Sequence, residues 1–521
     1  MAAKPEERDG ELSSSAAIQY EQDDILVVDE NNINDDDDEG PAYIDTEDAV
    51  EVDVDLENEP MSDEDDEDMQ QDEGDNILKE EDVAVIHDMA ACVLSAAHAG
   101  PVYSCAAIIQ TGNNSDSSSS TFVIASGGGD DKVFIHTVVA TPPSNMIAMS
   151  SVELVPPTHK STDTITSVSF NTTSLPAVLA TGCYDGTIQL WDVNIGEGGV
   201  VSAVHSRQLD GPSDIEWISW HPNGGTVLLA GSTDGTVWMW FAPTGKCLQV
   251  FVGHSAGDGG GSTAGSFTPD GKFAVTAGVD GTLRLWAPKK GLCKHTFTFG
   301  GNNSRNVAGS AITCISLLQN NNSDDSLAAV GCEDGTAWIA HLTHKKVLGC
   351  LHHHITSNSQ QPIQYNDDND TVDVEPRSVE AVGFAPQALN VKWFATAGID
   401  GVLKIWDTSN NSCRQTCVHT SSDGLAAGVT RLVWHTALPF IYTSASDGVI
   451  RLWDARSGSC LTSLTGHSDV INDMSIMMGD GTMHKPDVII TGSDDYTVRI
   501  FVVFAAEYNT TSTTSSSQFG A

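Results

Sequence analysis

A hydroxyl, an imidazole and a carboxylate travel together along this 521-residue chain. Asp185, Asp280, Asp447 and Asp495 each stand four residues after a threonine, Thr181, Thr276, Thr443 or Thr491. Each also stands 26 to 28 residues after a histidine, His159, His254, His419 or His467. Six residues beyond the aspartates come Trp191, Trp286, Trp453 and Phe501. Hydroxyl, imidazole and carboxylate are the parts of a nucleophilic triad, so hydrolysis is the first chemistry to weigh. Repetition argues against it. A catalytic set is needed once, whereas this one recurs, three times in four with an indole whose N–H needs a buried acceptor. The pattern reads as a set of structural hydrogen-bond networks, and no residue is assigned a catalytic role.

The aspartates mark a longer repeat. A strand of small residues, a tight turn centred on Asp and an alternating strand ending mostly in Trp recur around Asp130, Asp185, Asp234, Asp280, Asp334, Asp400, Asp447 and Asp495, at intervals of 46 to 66 residues. The repeat resembles the WD repeat, whose blades run to about 40 to 45 residues before loop insertions. The resemblance implies an all-β WD-repeat β-propeller of eight blades, each of four antiparallel strands. Two blades depart from the pattern, with His136 and Ala340 where Trp is expected. A ring must also protect its seam, because an open sheet edge templates aggregation. The segment from Cys92 to His98 matches the one from Cys460 to His467 yet has no blade before it. It is expected to supply the outermost strand of the blade containing Asp495.

Charge divides the chain into body and tail. The net charge is -48, from 72 Asp and Glu against 24 Lys and Arg. Residues 1 to 82 carry about 34 of the acidic residues and almost no aromatics, a composition that cannot offset the entropy of ordering. We therefore expect a disordered acidic tail over 1-86, a propeller over 87-504 and a disordered Ser/Thr-rich tail over 505-521. Polar inserts at 113–120, 320–325 and 357–370 account for the uneven period. A body this acidic repels nucleic-acid phosphates and anionic lipid and attracts basic proteins. Eleven Cys without paired spacing suit a reducing compartment, and no apolar run approaches the roughly 20 residues of a membrane span. The expectation is a monomeric cytoplasmic protein, open to nuclear entry, with no direct nucleic-acid contact and no membrane insertion. No cofactor or metal is expected. His352, His353 and His354 have ligand chemistry without zinc-site spacing and read as a loop. Cys413 and Cys417 lack partners, and Gly257 to Gly261 precede no helix that would form a phosphate site.

The third repeat is more specific than a generic WD repeat. It runs through Trp217, Trp220, His221 and Pro222 to Asp234, Trp238 and Trp240, and with the first and seventh repeats, 126–134 and 446–458, it is similar to the angio-associated migratory cell protein family. What that resemblance implies is not uniform. The animal protein is associated with cell migration and vessel growth, the work of an interaction scaffold. A fungal relative of similar architecture is a chaperone that captures a basic large-subunit ribosomal protein. The second role agrees with the charge argument, and an acidic histone-binding propeller is a third reading. Aligning the repeats places Tyr103, Thr166, Glu216, Thr263, Thr313, Glu380, Thr430 and Asn472 at one equivalent position, expected near the mouth of the central channel. Asp163, Asp214, Glu333, Asp469 and Asp494 are expected on adjacent loops of that face. Together with Tyr103, Glu216 and Glu380 they form the candidate surface for a basic client.

Overall fold

The computed structural model describes residues 88–508, except 95–96, 112–119, 142–144, 158–162, 173–174, 196–200, 256–260, 300–308, 319–325, 354–377, 483–484 and 506. The expected tail over 1–86 lies outside the described residues, as do the inserts apart from Ser120.

The described chain folds into eight four-stranded antiparallel sheets. Their inner strands are Val102–Thr111, Ile165–Phe170, Ile215–Trp220, Ser262–Phe267, Ile312–Leu317, Val379–Phe384, Val429–Trp434 and Ile471–Met477, which head blades 1 to 8. Each inner strand lies against that of the next blade, and Ile471–Met477 lies against Val102–Thr111, so the ring is complete. The sequence pattern follows from this stacking. A second strand such as Ala274–Gly278 is covered on both faces by neighbouring blades and is buried at every position, so it reads as a run of small apolar residues rather than an alternation. The third strand, Thr282–Ala287, begins with an alternation of half-buried and buried residues. The outer strand, Leu292–Thr298, begins with three exposed residues.

Blade spacing makes the second strands small. A Cβ on Gly127 would sit 2.4 Å from Cγ2 of Ile165 in the next blade, and one on Gly492 would sit 2.6 Å from Val102. The turn aspartates precede a residue in the left-handed region. Glycine fills that place in six blades, from Gly186 to Gly448, while Asp131 and Tyr496 adopt φ of 61° and 66° in blades 1 and 8. Eight apolar clusters fill the eight interfaces, for example Leu283, Phe297 and Phe299 with Ile312 and Val330 between blades 4 and 5.

The seam closes with a strand from the far end of the chain. Cys92–Leu94 pairs antiparallel with Val498–Val503, with Val93 opposite Arg499, and is the fourth strand of blade 8. Asp88 adds an ion pair with Arg499, and the Met89 N–H donates to the Thr465 carbonyl at 2.8 Å. At the other end the chain stays on the core slightly past 504, where Ala505 is buried and Tyr508 packs against blade 8. Deleting residues 88–98 removes the closing strand and the buried Leu94, and should lower the melting temperature by about 10 °C. An unchanged melt followed by circular dichroism would show that the strand does not close the ring.

Candidate protein-binding face

The repeated polar sets join one blade to the next. In blade 4 the Trp286 indole N–H donates to Thr276 Oγ1 at 2.8 Å. Thr276 Oγ1 lies 2.7 Å from His254 Nε2, and His254 Nδ1 lies 3.1 Å from Asp280. An indole N–H can only donate, so the proton order follows: indole to hydroxyl, hydroxyl to Nε2, Nδ1–H to carboxylate. His254 follows the outer strand of blade 3, so the chain of bonds crosses the interface. Blade 8 repeats it with Thr491, His467 and Asp495, all at 2.8 Å, and Phe501 in place of the indole. Burial alone would raise the Asp280 carboxyl, but the His254 and Thr282 hydrogen bonds outweigh it and hold the pKa at about 2. Thr276, Thr443 and Thr491 have no exposed surface, which denies these hydroxyls a substrate.

Blade 7 differs from the sequence expectation. His419 Nε2 bonds Thr443 at 2.8 Å, but Nδ1 faces the Gly401 carbonyl at 3.1 Å rather than Asp447, which is held by Arg451 at 2.6 Å. The cause is register. His419 follows the last paired residue, Val418, directly, whereas His254 stands two residues beyond Val252. In blade 2, Trp191 and Thr181 are 3.5 Å apart and Asp185 receives the Thr187 N–H, while His159 lies outside the described residues.

Three histidines were not placed by spacing from Asp. His353, read as a loop residue, is fully buried, with Nδ1 2.7 Å from Thr396 and Nε2 3.3 Å from Asp400, while Trp406 donates to Thr396 at 2.8 Å. His98, just beyond the closing strand, joins Asp130 at 2.9 Å and Ser126 at 2.8 Å. His136 occupies the Trp position of blade 1 and takes over its bond, with Nε2 2.9 Å from Ser126 and Nδ1 2.8 Å from Ser151.

The aligned set at the channel mouth has a common structural basis. In each of the eight inner strands the pairing with the second strand slips by one residue, and the residue left over is Tyr103, Thr166, Glu216, Thr263, Thr313, Glu380, Thr430 or Asn472. A bulge re-aims its side chain. Five of these side chains donate to a backbone carbonyl of the next blade's inner strand. Thr166 reaches Ile215, Thr263 reaches Ile312 and Thr430 reaches Ile471, each at 2.6 Å, and Asn472 reaches Val102 at 3.1 Å. Thr313 bonds Val379 likewise.

Tyr103, Glu216 and Glu380 make no such bond among the described residues. In blade 3 the neighbouring Trp217 supplies it instead, its indole N–H donating to the Ser262 carbonyl at 2.9 Å. Glu216 accepts from the Tyr184 hydroxyl, and burial, with Asp214 nearby, raises its pKa against that bond. Asp163, Asp214 and Asp469 precede the inner strands of blades 2, 3 and 8, and Glu333 and Asp494 directly follow second strands, so all five share one end of the ring with the bulges. Asp214 accepts from Thr233 at 2.7 Å and Asp494 from Asn472 at 2.7 Å, while Asp163, Glu333 and Asp469 are exposed. The inner strands carry a single cation among the described residues, Arg431, paired with Asp473 at 3.1 Å.

The WD domain, G-beta repeat family matches residues 152–192, 204–240, 245–287, 412–454 and 458–501. Each of these units joins the outer strand of one blade to strands of the next, the same offset that closes the ring. Angio-associated migratory cell protein of Canis lupus familiaris and of Homo sapiens is 30% identical over 346 residues, covering 66% of this chain and 68% of theirs. The chain belongs to the angio-associated migratory cell protein family of WD-repeat proteins. A ribosome biogenesis protein WDR12 homolog of Drosophila persimilis is 25% identical over 334 residues, 62% of this chain and 69% of that one. Chaetomium thermophilum Sqt1, solved bound to the N-terminus of the ribosomal protein L10, shares the fold at a TM-score of 0.58 and 18% identity, covering 80% of this chain and all of its own.

Replacing Thr276 by Val strands a buried indole N–H and an imidazole together, and should cost about 2 to 3 kcal/mol of stability in urea unfolding. Acid should act earlier than carboxylate titration would suggest. Burial, reinforced by His98, lowers the His136 pKa to about 3, and burial with the Arg451 charge lowers that of His419 to about 4. The unfolded chain takes up these protons below pH 6.5 while the fold refuses them. Stability is then complete above 6.5 and declines as pH falls, by up to about 1.4 kcal/mol per pH unit for each histidine. The depressed Asp280 adds its own loss only below about pH 4. Unfolding midpoints that stay level from pH 7 to 5 would contradict this reading.

Proposed function

We propose that the ring is a non-catalytic escort for a cationic protein segment, and that the client is a basic ribosomal protein bound for the large subunit. The observation that carries this reading is the lifting of a structural duty at three of eight equivalent positions. Where five side chains fasten blade to blade, Tyr103, Glu216 and Glu380 instead present an aromatic ring and two carboxylates at the channel mouth. Asp163, Asp214, Glu333, Asp469 and Asp494 surround them, and an acidic field of this kind steers a basic partner and rejects phosphate backbones. The Sqt1 structure bound to the N-terminus of L10 supports the same class of client. The networks that resemble triads fasten buried interfaces, which supports a binding role over an enzymatic one.

A second reading, an interaction scaffold in signalling or cell migration, is favoured by the name of the family's animal members. One pull-down from whole-cell extract separates the readings. With the full chain as bait, one ribosomal protein should dominate the captured set, and Glu216→Lys with Glu380→Lys should reduce its capture at least about tenfold. The melt should fall by no more than the loss of the Tyr184–Glu216 bond, about 1 kcal/mol, because neither glutamate holds a backbone carbonyl of the next blade. Undiminished capture would remove the site, a set dominated by cytoskeletal regulators would favour the scaffold, and histones would favour the third reading.

A further inference from the structure

A third of the chain's 24 Lys and Arg lie in two adjacent blades. The sequence from 262 to 352, which forms most of blades 4 and 5, has eight Lys and Arg against six Asp and Glu in a chain whose net charge is -48. Six of the eight lie toward the end of the strands opposite the turn aspartates. Lys272 is in the connection from Ser262–Phe267 to Ala274–Gly278. Lys289 and Lys290 precede the outer strand Leu292–Thr298, which carries Lys294. Lys345 and Lys346 stand at the start of the outer strand Lys346–His352.

Lys272, Lys294 and Lys345 border one cleft of about 200 Å³ whose walls include Phe273, Leu285 and Leu342. All three lysines are exposed; Lys272 bonds Asp270 of its own turn at 3.3 Å, and Lys294 and Lys345 make no ion pair among the described residues. On the two outer strands, Leu292 and Leu348 are 55% and 50% exposed. In the sequence, Asp324 and Asp325 precede Leu327–Cys332 and lie outside the described residues.

We propose that this cleft is a second docking surface, and that its occupant is an acidic segment of a partner protein bearing at least one bulky apolar side chain. Lysines around an aliphatic cleft match carboxylates that flank an apolar anchor, the arrangement of a peptide hot spot with a charged rim. Nucleic acid suits it less. The cleft offers aliphatic walls and one half-buried phenylalanine where base stacking needs exposed rings. The two surfaces would then divide the work by charge, a basic client at the acidic mouth and an acidic partner at the opposite end of blades 4 and 5.

The test is a fluorescence-polarisation titration of the full chain into a labelled nonapeptide of glutamates flanking a Leu-Phe pair. Saturable binding with Kd on the order of 10 μM is expected, weakening as salt is added. Lys294→Glu with Lys345→Glu should weaken it at least about tenfold without moving the melt, since both side chains are exposed, whereas Glu216→Lys with Glu380→Lys should leave it in place. An all-glutamate peptide of equal length should bind at least about fivefold more weakly. The proposal is overturned by absence of saturable binding, by binding indifferent to the lysine pair, or by a uridylate oligomer of equal charge binding as tightly as the peptide.

Discussion

A four-stranded blade cannot bury both of its faces by itself, and every other feature of this molecule depends on that shortfall. Each apolar cluster is built from two neighbouring blades, so an unclosed ring would leave two faces and a strand edge in water. The closing strand Cys92–Leu94 therefore does more than add backbone pairs. It sets Leu94 into the cluster shared by blades 8 and 1, and it delivers His98 to Asp130, so blade 1 receives the same cross-blade histidine that blade 8 receives from the outer strand of blade 7. The offset between sequence repeat and blade ensures that every interface, the seam included, is crossed by covalent chain or by a copy of the same network.

The networks show how a repeat tolerates change at a buried polar position. A hydroxyl there needs both a donor and an acceptor, so any replacement must preserve the whole chain of bonds or remove it together. Blade 1 takes the first course. His136 supplies an N–H where an indole stood, and its second nitrogen finds Ser151. Blade 5 takes the second, with Val330 and Ala340 in place of hydroxyl and indole, while among the described residues the Asp334 carboxylate bonds only Thr336. Neither blade leaves a group of the network stranded, which is why the irregular repeats still stack.

What the sequence makes legible is whatever is local and repeated. The turn aspartates, the closing segment and the bulge positions are each recovered by laying one repeat over another, because the same backbone requirement selects them eight times. Histidine partners are less legible, since their reach is measured from the end of an outer strand and not from the aspartate. An insertion puts His353 47 residues before Asp400, and a one-residue difference past the strand turns His419 from a carboxylate to a carbonyl. Lone contacts leave no signal of this kind. Tyr442 donates to Asp487 at 2.6 Å and His435 Nε2 lies 3.3 Å from the same carboxylate, a buried set between blades 7 and 8 whose members are far apart in sequence and occur once.

Bulge residues carry the link from fold to function. A threonine or asparagine there fastens two blades, and substitution by an acidic residue removes a donor from a carbonyl that still needs one. Blade 3 resolves the conflict within its own strand. Trp217 packs its ring where any Cβ on Gly231 or Gly265 would collide with it, and its N–H satisfies the Ser262 carbonyl that Glu216 cannot. The tryptophan, the two glycines and the glutamate are thus one arrangement, in which an added aromatic tie releases a carboxylate to the mouth of the channel. Burial then raises the cost of that charge, which only a donor or a cation can offset. Tyr184 supplies the donor. A basic side chain brought to Glu216 would supply the cation, and under the proposed function the same desolvation would strengthen that pairing.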